Sequence, residues 1–323
     1  MIVSIIGKQV VLISTTSLIL CYNTHHGFFC MEAVMDKVAI VTDSVACLPD
    51  EIVSQYGIRV VPIKILFKDK VYRNGVDLAP AEAYKLLAKA PDFFSTSPSS
   101  PSDYIGIFSE LATSGQDIFC LSVSSELSTT YNVARLAAQQ VRQEKPDCSI
   151  KVMDSRNATA SQGFIALAAA QTASRGGNLD DVIRTANTVR EQVQMVLTLN
   201  TIRHAYRTGR IPKIATQMGS MLGVKPLLTI SNGVVHLIGI VRTNKKGVER
   251  IIKIMEQKAG KRPLHVAIMH TAIPEKAEAL KQRISAEFNC VELLLTEVSP
   301  VIGYAIGPGS LGLAFYTLPS QAV

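Results

Sequence analysis

A chain of 323 residues, 47% hydrophobic and 18% charged, is long enough for two domains and reads as globular. With no Trp and 6% aromatic residues it lacks stacking platforms for nucleic-acid bases, and its six scattered cysteines form no Cys-x-x-Cys pair, which argues against a zinc ribbon or a disulfide framework. The net charge of +7 is local: residues 200–262 hold 13 lysines and arginines against two acids, a net +11, whereas the remainder holds 20 basic and 24 acidic residues, a net −4.

Residues 1–35 differ from the rest of the chain. The apolar run at 10–21 is shorter than the about 20 residues needed to cross a bilayer. Only Lys8 precedes it as a side-chain charge, and no small-residue cleavage motif comes after it. Three readings stay open: a working chain that starts near Met31 or Met35, an uncleaved anchor or export signal, and an added strand.

From residue 38 the hydrophobic pattern alternates between strand and helix. The β-branched run at 38–42 predicts a strand buried on both faces, ended by Asp43-Ser44. A helix opens at Asp50-Glu51, a strand covers 59–66, Asp69-Lys70 turns the chain, and helices cover 81–90 and 103–113. A strand at 117–123, a helix through Val141, a strand at 149–153 and an Ala-rich helix at 162–175 closed by Gly176-Gly177 complete a βαβ pattern. The implied unit is a parallel-sheet α/β domain over 36–177.

The rhythm then changes. A helix at 179–193, a strand at 194–199, a short helix ending at Gly209 and a Met-rich helix around 218–222 come first. Strands at 224–230 and 233–241 share a hairpin signal, Ser231-Asn232-Gly233. A helix at 248–258, a strand at Leu264–His270, a helix at Pro274–Glu287 and strands at 292–298 and 310–316 read as a mixed α/β domain over 178–320.

Hydroxyl-rich motifs fall where strands should end: Val41-Thr42-Asp43-Ser44, Thr96-Ser97-Pro98-Ser99-Ser100-Pro101, Ser124-Ser125-Glu126-Leu127-Ser128-Thr129-Thr130-Tyr131 and Val152-Met153-Asp154-Ser155. Ligands of open α/β sheets bind outside the carboxyl ends of strands, and hydroxyls with free N–H groups there cradle an anion. Few strong bases or nucleophiles accompany them, which points to holding an acid rather than transforming it.

Together with Gly209-Arg210-Ile211, with 222–228 (Leu-Gly-Val-Lys-Pro-Leu-Leu) and with Gly303, Gly307-Pro308-Gly309 and Gly312, these motifs resemble the DegV family in order and spacing from about residue 37 to 316. The resemblance implies a two-domain α/β fold that binds a long-chain fatty acid between its domains. It also implies a cytoplasmic bacterial protein of phospholipid metabolism that is not itself an enzyme. Such a chain carries the lipid and presents its carboxylate to a separate ATP-dependent fatty acid kinase subunit. The expected ligand is the fatty acid, with no cofactor and no metal.

By the same resemblance Ser97 hydrogen-bonds the carboxylate, with Thr96 beside it, and His270 reaches the head group from the end of its strand. On residue grounds Ser97 is equally an N-cap or turn serine, and His270 equally a structural histidine after an apolar strand. Lys64 stands where the family often has a carboxylate-binding Thr, so it either ion-pairs with the carboxylate or snorkels outward. Asp43, Ser44, Ser125, Ser128 and Thr129 make up the head-group crevice, Thr129 replacing a usual Gly. The loop at 303–307 carries Tyr304-Ala305-Ile306 in place of a common His-Thr. Phe164, Ile165, Leu167, Ala168, Met218, Met221 and Leu222 are the expected lining of the acyl tunnel, or else ordinary core. Arg207 and Arg210 are expected to contact the kinase subunit, or else to be solvated.

Two other classes match parts of the sequence. Asp43-Ser44 or Asp154-Ser155 could furnish a nucleophile for a hydrolase or phosphotransferase acting on a small acid, but no Gly-x-Ser-x-Gly elbow, P-loop or metal-ligand spacing accompanies them. The basic stretch at 200–262 suits an anionic partner, an acidic protein or transiently a membrane surface. It lacks the aromatic interleaving of a nucleic-acid binder, so no nucleic acid is expected.

Overall fold

The computed structural model describes residues 37–209 and 223–318 in full, and before them the backbone of four strands. Those four, β1 (Ile2–Ile6), β2 (Gln9–Ile13), β3 (Ser17–Thr24) and β4 (Gly27–Val34), pair with one another as an antiparallel meander.

The first sheet of the main body is parallel. Its strands β5 (Val38–Asp43), β6 (Arg59–Val61), β10 (Asp117–Ser122) and β11 (Ile150–Asp154) lie in the order β11-β10-β5-β6. Every residue of β5 is buried, as the β-branched run demands. The helices α3 (Pro101–Thr113) and α4 (Thr130–Glu144) cover one face, where Tyr104, Phe108 and Ala137 pack on Val41 and Cys120.

The expected strand at 59–66 is in fact two strands in two sheets. Pro62 has no N–H to continue the ladder, and Ile63 instead donates its N–H to the Ser44 hydroxyl, 3.1 Å. Beyond that break β7 (Lys64–Phe67) joins β8 (Lys70–Arg73) and β9 (Phe94–Ser97) in a small antiparallel sheet, order β8-β7-β9, packed on α2 (Pro80–Lys89). The 38–175 stretch therefore combines a parallel sheet with this antiparallel insertion. A short helix, α1 (Asp50–Gln55), precedes β6.

The second large sheet is mixed. It has the order β14-β13-β12-β17-β15-β16, from β12 (Gln194–Thr198), β13 (Lys225–Ser231), β14 (Val234–Val241), β15 (Leu264–His270), β16 (Cys290–Glu297) and β17 (Leu311–Tyr316). Only β15 and β16 run parallel. The remaining α-helices of the described residues, in chain order, are α5 (Thr159–Ser174), α6 (Leu179–Gln192), α7 (Arg203–Thr208), α8 (Asn244–Ala259), α9 (Pro274–Glu287) and α10 (Pro300–Ile306). The last replaces the expected loop at 303–307: Pro300 opens it and the Ser299 hydroxyl accepts from Val301 N–H.

The layers stack as α3 and α4, parallel sheet, α5, mixed sheet, then α8 and α9. The middle helix is buried on nearly all sides, which its alanines permit. Gly163 allows its closest approach: a Cβ there would sit 2.5 Å from the Ala46 carbonyl. Among the described residues no helix is long and apolar enough to cross a membrane.

Candidate functional site

The gap between the two sheets is filled by α5 only as far as its N-terminus. Beyond it lies a largely apolar cavity. Ala158 and Thr159 close the helix end, and the loops after β5 and β10 contribute Val45, Val123, Leu127 and Ser128. Met195, Leu197, Leu228 and Ile230 come from the inner face of β12 and β13, and Val235 from β14. One wall is α10, through Val301, Ile302, Ala305 and Ile306, and the end of β9 adds Thr96, Ser97 and Pro98. Four hydroxyls, those of Thr96, Ser97, Ser128 and Thr159, thus border an otherwise hydrocarbon surface.

The hydroxyls differ in how far they are engaged. Among the described residues Ser97 Oγ makes only a long contact to the Pro98 carbonyl, 3.4 Å. It does not cap α3: Ser100 does, in a capping box with Asp103. Ser128 Oγ lies 2.7 Å from Thr130 Oγ1 and accepts from Thr130 N–H. Thr159 holds a left-handed φ of +58°, a strained value for a β-branched residue, at the first position of α5.

Asp43 supports the cavity from behind. Its fully buried carboxylate accepts the N–H groups of Val45 (3.0 Å) and Val123 (2.8 Å) and the Gln162 amide (3.1 Å). Burial pushes its pKa up, and these donors oppose that rise. Val45 and Val123 are both cavity residues, so Asp43 fixes two walls rather than facing a ligand. Ser44 does the same for Ile63, a further lining residue.

Other expected residues lie elsewhere. Ser125 is exposed and donates to Asp154, 2.6 Å. Thr129 is exposed at the N-cap of α4, without a side-chain capping bond. Phe164 and Ile165 do not border the cavity; they sit further along α5, packed between the sheets, Phe164 against the Tyr316 ring at 5.3 Å. Leu167 and Ala168 share that core. Met218, Met221, Leu222 and Arg210 fall outside the described residues.

His270 is 6% exposed at the end of β15 and is not among the lining residues. Its Nδ1 accepts from Ile273 N–H at 3.4 Å, which puts the proton of the neutral ring on Nε2. Burial lowers its pKa, with Glu297 and Glu275 opposing. Lys64 is directed to Asp103, Nζ to Oδ2 3.4 Å. Arg207 turns inward to Asp92 (3.1 Å), His204 (3.2 Å) and the Tyr304 ring.

Sequence reasoning missed most of the hydrocarbon wall, namely Met195, Leu197, Leu228, Ile230, Val235 and the α10 residues, as well as Thr159. The cue for α10 was present in Ser299-Pro300, a cap followed by a first-turn proline.

Residues 37–318 match the model of the DegV family, described as an uncharacterised protein family, and the chain belongs to it. A DegV domain-containing protein of Streptomyces coelicolor is 33% identical over 278 residues, 85% of this chain and 97% of its own length. Protein DegV of Bacillus subtilis is 28% identical over 281 residues, 86% and 99%. Among solved structures, a DegV family protein from Thermus thermophilus, reported for its fatty acid binding, has a TM-score of 0.80 at 27% identity, covering 87% of this chain and 100% of its own. DegV from Bacillus subtilis, reported as a fatty acid binding protein, also has a TM-score of 0.80 at 27% identity, over 88% and 100%.

Proposed function

We propose that this chain binds a long-chain fatty acid in the cavity between its two large sheets and holds the carboxylate at the hydroxyl-bearing border. The observation that carries this reading is the pairing of a continuous hydrocarbon wall with four hydroxyls, within a family whose solved members from Thermus thermophilus and Bacillus subtilis are fatty acid binders. A carboxylate withdrawn from water needs charge-assisted hydrogen bonds. In this reading Ser97 and Thr96 supply them, the dipole of α5 favours negative charge near Thr159, and His270 offers its Nε2–H from the neighbouring strand end.

The chain carries the acid, and a separate ATP-dependent kinase subunit phosphorylates the carboxylate. Arg207 and the basic 200–262 stretch are the proposed contacts for that subunit, and a transient membrane contact supplies or accepts the lipid. A cytoplasmic location accompanies this reading. The alternative of a hydrolytic or phosphoryl-transfer nucleophile at an Asp-Ser pair gains no support from the geometry, since Asp43 is enclosed by its donors and Asp154 accepts from Arg156 N–H and Ser125.

The test is displacement of a fluorescent fatty acid by oleate. Ser97→Ala is expected to weaken binding about tenfold, the effect of one charge-assisted hydrogen bond. Val235→Trp, placed in the half-buried wall, is expected to abolish it by filling the cavity. Unchanged affinity in both variants would refute the site. For the presentation step, labelled ATP with a candidate kinase subunit should yield acyl phosphate only when the chain is present.

A further inference from the structure

A separate groove, lined largely by polar side chains, runs where the last turn of α6 and the start of β12 meet the tip of the β13–β14 hairpin and the flank of α8. It shares only Ile230 with the cavity between the sheets. Two arginines line it, Arg156 from the loop after β11 and Arg190 from α6. The backbone of Arg156 is fixed from two sides. Its N–H donates to Asp154 Oδ1 at 2.8 Å, and Gly233 of the hairpin tip is so close that a Cβ there would lie 3.7 Å from the Arg156 Cα.

Both guanidinium groups are short of acceptors. Arg190 is half-buried, and its one hydrogen bond among the described residues goes to a neutral group, the Asp154 carbonyl, 3.2 Å from Nη1. The Arg156 guanidinium makes no hydrogen bond or salt bridge among the described residues. Glu191 and Asp154 lie within electrostatic reach of Arg190 without pairing with it; the Asp154 carboxylate already accepts from Ser125 and from Arg156 N–H, and Glu191 is exposed. Burial, and after it the charge of Arg156, hold the Arg190 pKa below the ordinary arginine value. Two cations side by side, one of them partly withdrawn from water and neither on a carboxylate, cost free energy that an anion across both forks would offset. The third cation of the groove, Lys258, is tied to Gln194 Oε1 at 2.9 Å. Beside the arginines stand Asn157, Ser231 and Asn232, whose amides and hydroxyl suit the hydroxyls of a ligand, and the partly exposed Ile238 forms an apolar floor.

We propose that this groove is a second binding site, for the phosphate monoester of a sugar or polyol. The phosphate lies across Arg156 and Arg190, whose planar forks match its oxygens. The hydroxyl-bearing body lies along Asn157, Ser231 and Asn232, with its carbon face on Ile238. The site shares no polar group with the proposed fatty-acid cavity and stands independently of it.

The experiment titrates the full chain with glucose 6-phosphate and, in parallel, with inorganic phosphate and with glucose, by calorimetry and by methyl NMR. Glucose 6-phosphate is expected to bind saturably and about fivefold or more tighter than inorganic phosphate, and glucose not to bind at the same concentration. The methyls of Ile238 and Ile254 in the groove should shift while those of Val235 and Ile302 in the other cavity stay still. Arg156→Ala, at an exposed side chain, should weaken binding about tenfold with the melting temperature unchanged. Arg190→Lys keeps the charge but loses the fork and should weaken it about threefold or more. Glu191→Gln, which removes the acid lining the groove, should tighten it about twofold. No saturable binding at millimolar concentration, equal affinity for inorganic phosphate, shifts confined to Val235 and Ile302, or undiminished affinity in Arg156→Ala would each overturn the proposal.

Discussion

Lys64 and Ser97 stand directly opposite one another in the β7–β9 ladder, yet the lysine ammonium is turned away to Asp103, 3.4 Å from its carboxylate. Opposed residues of an antiparallel pair share a face. The cross-strand neighbour of the proposed carboxylate donor is thus a cation held by another acid. Lys64→Ala is therefore expected to change fatty-acid affinity by less than about threefold, and stability by about 0.5 kcal/mol or less, as for a partly exposed ion pair. Fluorescent displacement and urea titration check both. A loss beyond tenfold would mean that the lysine reaches the ligand.

The tip of the β13–β14 hairpin is fastened across the cavity's loops. Ser124 donates its hydroxyl to the Gly233 carbonyl at 2.8 Å, and Glu126 N–H returns to the same hydroxyl. Gly233 has φ +82°, and a Cβ on it would lie 2.6 Å from Ser124 Oγ. Gly233→Ala should cost about 1–3 kcal/mol through strain and overpacking. Because Ile230 and Val235 of this hairpin line the cavity, the same change should accelerate fatty-acid release. Stopped-flow displacement measures the release rate, and a faster rate with lowered melting temperature is the expected pair.

Burial holds the His270 imidazole below its ordinary value of 6.5. A folded state that binds this proton more weakly than the unfolded chain loses stability as pH falls through about 6.5, and the loss levels off below the folded value. His270→Gln should therefore show a flatter fall in urea midpoint from pH 7 to pH 5 than the parent. His204, lowered by burial and by Arg207, remains in both and contributes to the residual slope, as does Asp43, raised by burial and acting with the opposite sign. Parallel curves for the two proteins would contradict this assignment.

Much of the architecture was legible because local signals agreed with tertiary demands. β15 and α9 were read at both bounds, one from an apolar run ended by His270, the other from Pro274 in the first turn. The break at Pro62 was harder, since the apolar run continues through it while the ladder cannot. Of the site, the hydroxyls Thr96, Ser97 and Ser128 were named from motifs, and all three border the cavity. Its hydrocarbon wall was not legible: Met195 and Leu197 face the cavity, but Val196 between them is equally apolar and faces the other way. Phe164 and Ile165 show the converse, a helix apolar on every side whose sequence does not reveal which residues a ligand touches.

Native mass spectrometry of the purified full chain, with solvent extraction to identify what it carries, decides whether the inter-sheet cavity holds a fatty acid. One long-chain fatty acid per chain, displaced by added oleate and lost in Val235→Trp, is the expected result. A chain of the bare polypeptide mass that also takes up no added oleate would contradict fatty-acid binding.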